Sequence, residues 1–189
     1  VTIPDSVGLV TADWWRAALT GSPWTIRERV TGVDLAEKLL LTAAKQGWRV
    51  VLVGGMDNQA SRACERLKKR FSGLQIWWAP AADKVDEETG VQFREVIKVL
   101  ERVKPDLVLV GFGAPKQEAW VLRHKDDLHT QVVMVVGGAI DMWSGRSRRA
   151  PRWMRRMGLE WLWRLGAEPW RWKRQLRLLK FVRMMFVMK

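Results

Sequence analysis

Apolar and polar positions follow two rhythms along the chain, and each change of rhythm marks an element. Short apolar runs stand at Arg49–Val53, Leu74–Trp78, Leu107–Val110 and Val132–Val136. Three of them stop at glycine: the first at Gly54-Gly55, the third at Gly111 and the last at Gly137-Gly138. Runs of this length bounded by glycine read as buried strands. Between them the period lengthens. Ala60, Ala63, Cys64, Leu67 and Phe71 fall on one helical stripe behind Asp57, which is placed to cap it. Val96, Val99, Leu100 and Val103 make a second stripe, and Pro115 stands where a third helix would open. Upstream, Thr31-Gly32-Val33-Asp34 has the form of a capping box ahead of Leu35, Leu39, Leu40 and Ala43. Apolar strands alternating with helices predict an α/β fold: a parallel sheet with right-handed crossovers, flanked by helices. The pattern does not set the strand order, and the chain carries no internal repeat or low-complexity segment.

From about Pro151 the pattern is helical only. Trp153, Met157, Trp161 and Leu165 recur every fourth residue with Leu162 beside them, which predicts one helix running to the break at Pro169. A second helix follows. Trp172, Leu178, Leu179, Val182, Met185 and Phe186 share one side of it, and Lys173, Arg174, Arg177, Lys180 and Arg183 share the other. An amphipathic, cationic helix containing tryptophan suits a membrane interface. The expected division is therefore an α/β domain over residues 1–145 and an all-helical cationic appendage over 146–189.

Charge sharpens that division. The formal net charge is +13, yet residues 146–189 hold 14 of the Lys and Arg against two acids, Glu160 and Glu168. Residues 1–145 hold 19 basic and 18 acidic side chains and are close to neutral. Such a tail attracts phosphate, whether in nucleic acid, lipid headgroups or a diphosphate substrate. Cys64 is the only cysteine, so no internal disulfide forms and a reducing compartment is expected. No apolar run reaches the roughly 18 residues needed to span a bilayer as a helix. The chain begins at Val1 without an initiator Met or a signal-peptide pattern, so a preceding segment is expected. There are thirteen Trp and no Tyr, a usage with no physical account in the sequence.

In open α/β sheets, ligands bind beyond the carboxyl ends of the strands, where glycine turns let backbone amides approach phosphate. Three such turns are present: Gly54-Gly55, Gly111-Phe112-Gly113-Ala114-Pro115-Lys116-Gln117-Glu118, and Gly137-Gly138-Ala139-Ile140-Asp141. None is a GxGxxG or Walker loop. A glycine at a strand end is often only a tight turn, but three turns followed by Lys116, Gln117 and Asp141 favour a nucleotide-sugar site. There is no Asp-x-Asp sequence to hold a divalent metal on a nucleotide diphosphate, and His124 and His129 read as surface residues rather than ligands. A departing diphosphate would then be neutralised by arginines, lysines and helix N-termini, with no metal cofactor.

The stretches Pro4-Asp5-Ser6-Val7-Gly8, Glu28–Asp34, GFGAPKQEAW (111–120) and GGAIDMWSGRSRRAPRWMRRMGLEWLWRL (137–165) resemble the WecG/TagA/CpsF glycosyltransferases, glycosyltransferase family 26. The resemblance covers essentially the whole chain. It implies a Rossmann-like fold and inverting transfer of N-acetylmannosamine, or its uronic acid, from UDP. The implied acceptor is an N-acetylglucosamine linked to undecaprenyl diphosphate, in the synthesis of wall teichoic acid or a related polymer. A cytoplasmic enzyme is implied, peripheral on the inner face of the bacterial membrane, whose C-terminal appendage binds that surface and completes the site.

Residue by residue, Asp5 matches the proposed general base of the PDG motif, with Ser6 replacing the glycine. Arg29 matches an arginine near the donor, although the segment between it and Asp5 is longer than usual for the family. Gln117 matches a residue near the sugar, and Asp141 one near the uracil. Arg164, Arg171 and Arg174 match appendage arginines that reach the diphosphate, and Arg171 lies on the apolar side of its helix, where a solvated role fits poorly. Gly54, Gly55, Gly111, Gly113 and Lys116 complete the expected donor contacts. Trp172, Arg177, Lys180 and Arg183 are the expected membrane contacts, while Trp153, Trp161 and Trp163 read as packing or interface anchors. The family's upstream βα segment, with its donor-site threonine, is absent from this chain.

Two other classes compete. A nucleic-acid-binding protein could use the basic tail, but the tail lacks a recognition motif and its wide apolar side would be left in water. A nucleotide-binding regulator without chemistry leaves Asp5 and the arginine set unused. The oligomeric state is not readable, a homo-oligomer included.

Overall fold

The computed structural model describes residues 5, 7–26, 29–55, 58–79 and 91–167. The chain divides into two compact units, one formed by Gly32–Ser147 and the other by the segment up to Thr31 together with that from Arg148 onward.

The Gly32–Ser147 unit is the α/β body. Four strands, β1 (Arg49–Gly54), β2 (Gln75–Ala79), β3 (Leu107–Gly111) and β4 (Val132–Val135), form one sheet in the order β2-β1-β3-β4, parallel at every pair. The expected parallel α/β fold is present, and the order is that of a doubly wound sheet whose direction switches between β1 and β3. The central strands are apolar throughout because both faces are covered. Val50 and Leu52 of β1, with Leu107 and Leu109 of β3, enter one core alongside α2 (Gly32–Gln46), α3 (Gln59–Arg70) and α6 (Ala139–Ser144). Val51, Val53, Val108 and Val110 enter the other with α4 (Val91–Val103), and residues of α5 (Lys116–His124) pack against that second core.

The helical stripes read from the sequence fall on these helices. Leu40, Ala43, Ala63, Cys64, Leu67, Val96 and Leu100 are all buried. Phe71 is the exception, since α3 stops at Arg70 and Phe71 follows in extended conformation, its amide closing on the Leu67 carbonyl. Asp57 lies outside the described residues. Burial pushes the Cys64 thiol up to about 12, so it packs as a small apolar group.

In the other unit, α1 (Val7–Thr20) has no counterpart in the sequence reading. Among its described residues the one that is buried is an acid, Asp13. The Asp13 carboxylate accepts the backbone amides of Thr25 and Ile26 at 2.8 and 2.7 Å and the Thr25 hydroxyl at 3.0 Å. Arg16 pairs with it at 2.7 Å. One side chain thus fastens the segment after α1 back onto the helix.

The expected single helix through Trp153 and Leu165 is corrected. It is two short helices, α7 (Arg152–Arg156) and α8 (Glu160–Ala167), separated by a turn in which Gly158 takes φ +74°. A four-residue repeat continues unbroken through a left-handed glycine, so the spacing did not register the break. Trp153, Met157, Trp161 and Leu162 are exposed, while Met154 and Glu160 are buried. No helix among the described residues is long and apolar enough to cross a membrane.

Candidate active site

In the α/β body, the candidate donor residues gather at the switch between β1 and β3. Gly54 and Gly111 are partners in the parallel register, and the Gly55 amide donates to the Gly111 carbonyl at 3.3 Å. A β-carbon on Gly54 would lie 2.5 Å from that carbonyl oxygen, and one on Gly111 would lie 2.7 Å from Ile140. Close approach of β3 at Gly54, and of α6 with the turn before it at Gly111, is therefore sufficient reason for glycine at both positions.

Gln117, in the first turn of α5, is almost completely buried. Its Oε1 accepts the Gly137 amide at 3.1 Å, and its Nε2 donates to Glu118 Oε1 at 2.9 Å. The turn after β3 is thereby tied to the turn after β4. Lys116 is exposed beside it. Asp141 lies in the first turn of α6 beside Gln59, the buried first residue of α3; with the Gln59 amide turned to face its neighbours' charges, its nitrogen donates to Asp141 Oδ1 at 2.6 Å. The Gln59 oxygen accepts from Arg146 Nη1. Sequence reasoning missed Gln59 and assigned Arg146 to the appendage, whereas it belongs with the body. The available signal was the position of Gln59 at a helix start just beyond the Gly54-Gly55 turn.

His124 is corrected from a surface residue to a half-buried one. It stacks on Phe93 at 3.8 Å between ring centroids and leans on Trp120, which meets Phe112 edge-on at 5.3 Å. Burial holds its imidazole below the ordinary range, with Asp127 at 3.7 Å opposing.

In the helical unit, three other motif residues converge. Arg29 Nε donates to the Asp5 backbone carbonyl at 2.8 Å, and Nη1 to the Arg155 carbonyl at 3.4 Å. Its Nη2 pairs with Glu160 Oε2 at 3.4 Å, while the other Glu160 oxygen pairs with Arg164 Nη2 at 3.4 Å. Asp5 is exposed, and Arg164 keeps 35% of its side chain accessible. Glu160 went unassigned in the sequence, although one of only two acids among fourteen cations was a signal that it was needed. Trp163 donates its indole N–H to the Arg148 carbonyl at 3.0 Å, which makes it a packing anchor. Arg171, Trp172, Arg174, Arg177, Lys180 and Arg183 lie outside the described residues.

The motifs that supplied these residues extend over the whole sequence, and the family model "Glycosyl transferase WecG/TagA/CpsF family" matches residues 1–189. The chain belongs to this family. Among characterised relatives, it is 31% identical to an N-acetylglucosaminyldiphosphoundecaprenol N-acetyl-beta-D-mannosaminyltransferase of Bacillus subtilis strain 168, over 95% of this chain and 65% of the relative. It is 32% identical to the same-named protein of Bacillus spizizenii, with the same two coverages. A Staphylococcus aureus MRSA252 protein of that name is 30% identical over 81% of this chain and 57% of its own length. The chain thus spans about two thirds or less of the relatives it matches. Within the family motifs, Asp5 and Arg29 come from the N-terminal stretches and Glu160 and Arg164 from the last one, and the helical unit brings all four together.

Proposed function

We propose that this protein is an inverting glycosyltransferase. It moves N-acetylmannosamine, or its uronic acid, from UDP to an N-acetylglucosamine carried on undecaprenyl diphosphate, in the synthesis of wall teichoic acid or a related surface polymer. Family membership and the activity for which the relatives are named support the reaction class. The observation that carries the residue roles is the run of contacts from the Asp5 carbonyl through Arg29 to Glu160 and on to Arg164.

In the proposed reaction the acceptor hydroxyl attacks the anomeric carbon and its proton passes to the Asp5 carboxylate. The bond from the anomeric carbon to the UDP oxygen breaks, and UDP leaves with its charge met by Arg164, Arg171 and Arg174. Gln117, Asp141, Lys116 and the glycine turns are the proposed donor contacts, and no divalent metal takes part. The enzyme works at the cytoplasmic face of the membrane. Exposed Trp153, Met157, Trp161 and Leu162, with Arg152 and Arg156 exposed among them, favour such a surface, as does the series of cations from Lys173 to Arg183 in the sequence.

The deciding experiment is UDP release from the purified protein with UDP-N-acetylmannosamine and a short-chain lipid-linked acceptor. Asp5→Asn should bind UDP as the unaltered protein does, yet lose the roughly 10²–10⁴-fold that a general base supplies. Full turnover in that variant would place the base elsewhere.

A further inference from the structure

We infer that Glu160 is a positioning residue for the transfer reaction, fixing the backbone of Asp5 through the guanidinium of Arg29. This rests on the transfer reading, because it concerns what holds the proposed base.

Glu160 opens α8 and is buried, with 11% of its side chain accessible. A buried carboxylate persists as an ion only when paired. Its two oxygens are divided between two arginines, Arg29 Nη2 and Arg164 Nη2, each at 3.4 Å. Arg164 is four residues away on the same helix, the spacing of an ordinary helical pair. Arg29 is 131 residues distant in the chain, so that contact is made by the fold.

The geometry of Arg29 gives the contact its consequence. A guanidinium is a rigid plane, and fixing one edge fixes the directions of all its donors. With Nη2 held by Glu160 and Nη1 directed at the Arg155 carbonyl, Nε points at the Asp5 carbonyl and closes at 2.8 Å, the shortest of the three contacts. The acceptor is the main chain of Asp5, and the residue is exposed. The two acids therefore divide the work: Glu160 is buried and spent on arginines, and Asp5 is held by its backbone with its side chain accessible. The second pair, to Arg164, sets a second positive charge beside Glu160.

The test uses Glu160→Gln, which keeps the volume and one acceptor but drops the charge, and Arg29→Lys, which keeps a charge but loses the fork. Both should lower kcat by about tenfold or more while leaving KM for UDP-N-acetylmannosamine within about twofold, the signature of an interaction used in the chemical step. In an Asp5→Asn background, Glu160→Gln should have almost no further effect, because residues acting through one group are not additive. Arginine side-chain NMR supplies a readout apart from activity. The Arg29 Nε–H signal should be protected from exchange in the unaltered protein and in Asp5→Asn, and exposed in Glu160→Gln. Glu160→Gln at full kcat, or a loss that multiplies fully with that of Asp5→Asn, would overturn the inference alone. If the unaltered protein transfers no sugar, the transfer reading falls and this inference falls with it.

Discussion

The side-chain oxygen of Gln117 accepts the backbone N–H of Gly137 at 3.1 Å, so one buried amide ties the turn after β3 to the turn after β4. Gln117→Ala orphans that N–H, and an unsatisfied buried donor costs about 1–3 kcal/mol. Urea unfolding should show a loss of that size. A change below about 0.5 kcal/mol, the scale of an ordinary surface substitution, would mean the Gly137 amide finds another partner.

Gly54 and Gly113 both have positive φ, yet only one is crowded. Gly54→Ala drives a β-carbon to 2.5 Å from the Gly111 carbonyl, whereas nothing lies within 4 Å of the same atom on Gly113. Overpacking and backbone strain of about 1–3 kcal/mol each should add in Gly54→Ala, while Gly113→Ala meets strain alone. Thermal unfolding of the two variants should rank them in that order, and equal losses would refute the crowding argument.

Asp13 makes stability sensitive to acid. The Ile26 amide first, then Arg16 and Thr25, hold its carboxyl well below the usual carboxylate range against the opposing effect of burial. A depressed folded value means that the stabilisation is complete above the unfolded value of about 4 and is lost as pH falls below it. Asp13→Asn should therefore flatten the stability profile below about pH 4, the range set by the unfolded carboxylate. A profile as steep as that of the unaltered protein would assign the acid sensitivity to other carboxylates.

If arginines rather than a metal neutralise the leaving diphosphate, turnover should survive EDTA. Activity that vanishes in chelator and returns only with Mg²⁺ or Mn²⁺ would refute that assignment.

Replacing Arg177, Lys180 and Arg183 together by Ser should weaken binding to anionic vesicles, each contact being worth about 1 kcal/mol and screened by salt. Turnover on a short-chain soluble acceptor should be retained. Vesicle binding unchanged by the triple substitution would move the membrane contact to another surface, and the exposed Trp153–Leu162 segment is the first to examine.

The sheet was legible because burial on both faces leaves strands apolar at every position, as Val50–Val53 and Leu107–Val110 are. Strand order was not, since exchanging neighbours in a parallel sheet leaves that pattern unchanged. Helix α1 escaped notice because the buried residue among those described in it is Asp13, so its strongest anchor is polar and leaves no apolar stripe. At Trp153, Met157 and Trp161 helical spacing left packing and interface roles open, and the structure leaves all three exposed. In the candidate site, glycine turns and motif residues could be read one at a time. Gln59 and Glu160 could not, because their partners Asp141 and Arg29 lie 82 and 131 residues away and only folding brings them together.

The sealed thiol of Cys64 gives the chain a built-in clock. Buried and held as neutral thiol, it is almost inert toward maleimides while α3 stays packed, and no second sulfhydryl competes with it. Its rate of alkylation therefore counts openings of the α/β body. Any stabilising ligand, a nucleotide sugar included, should announce itself by slowing that rate.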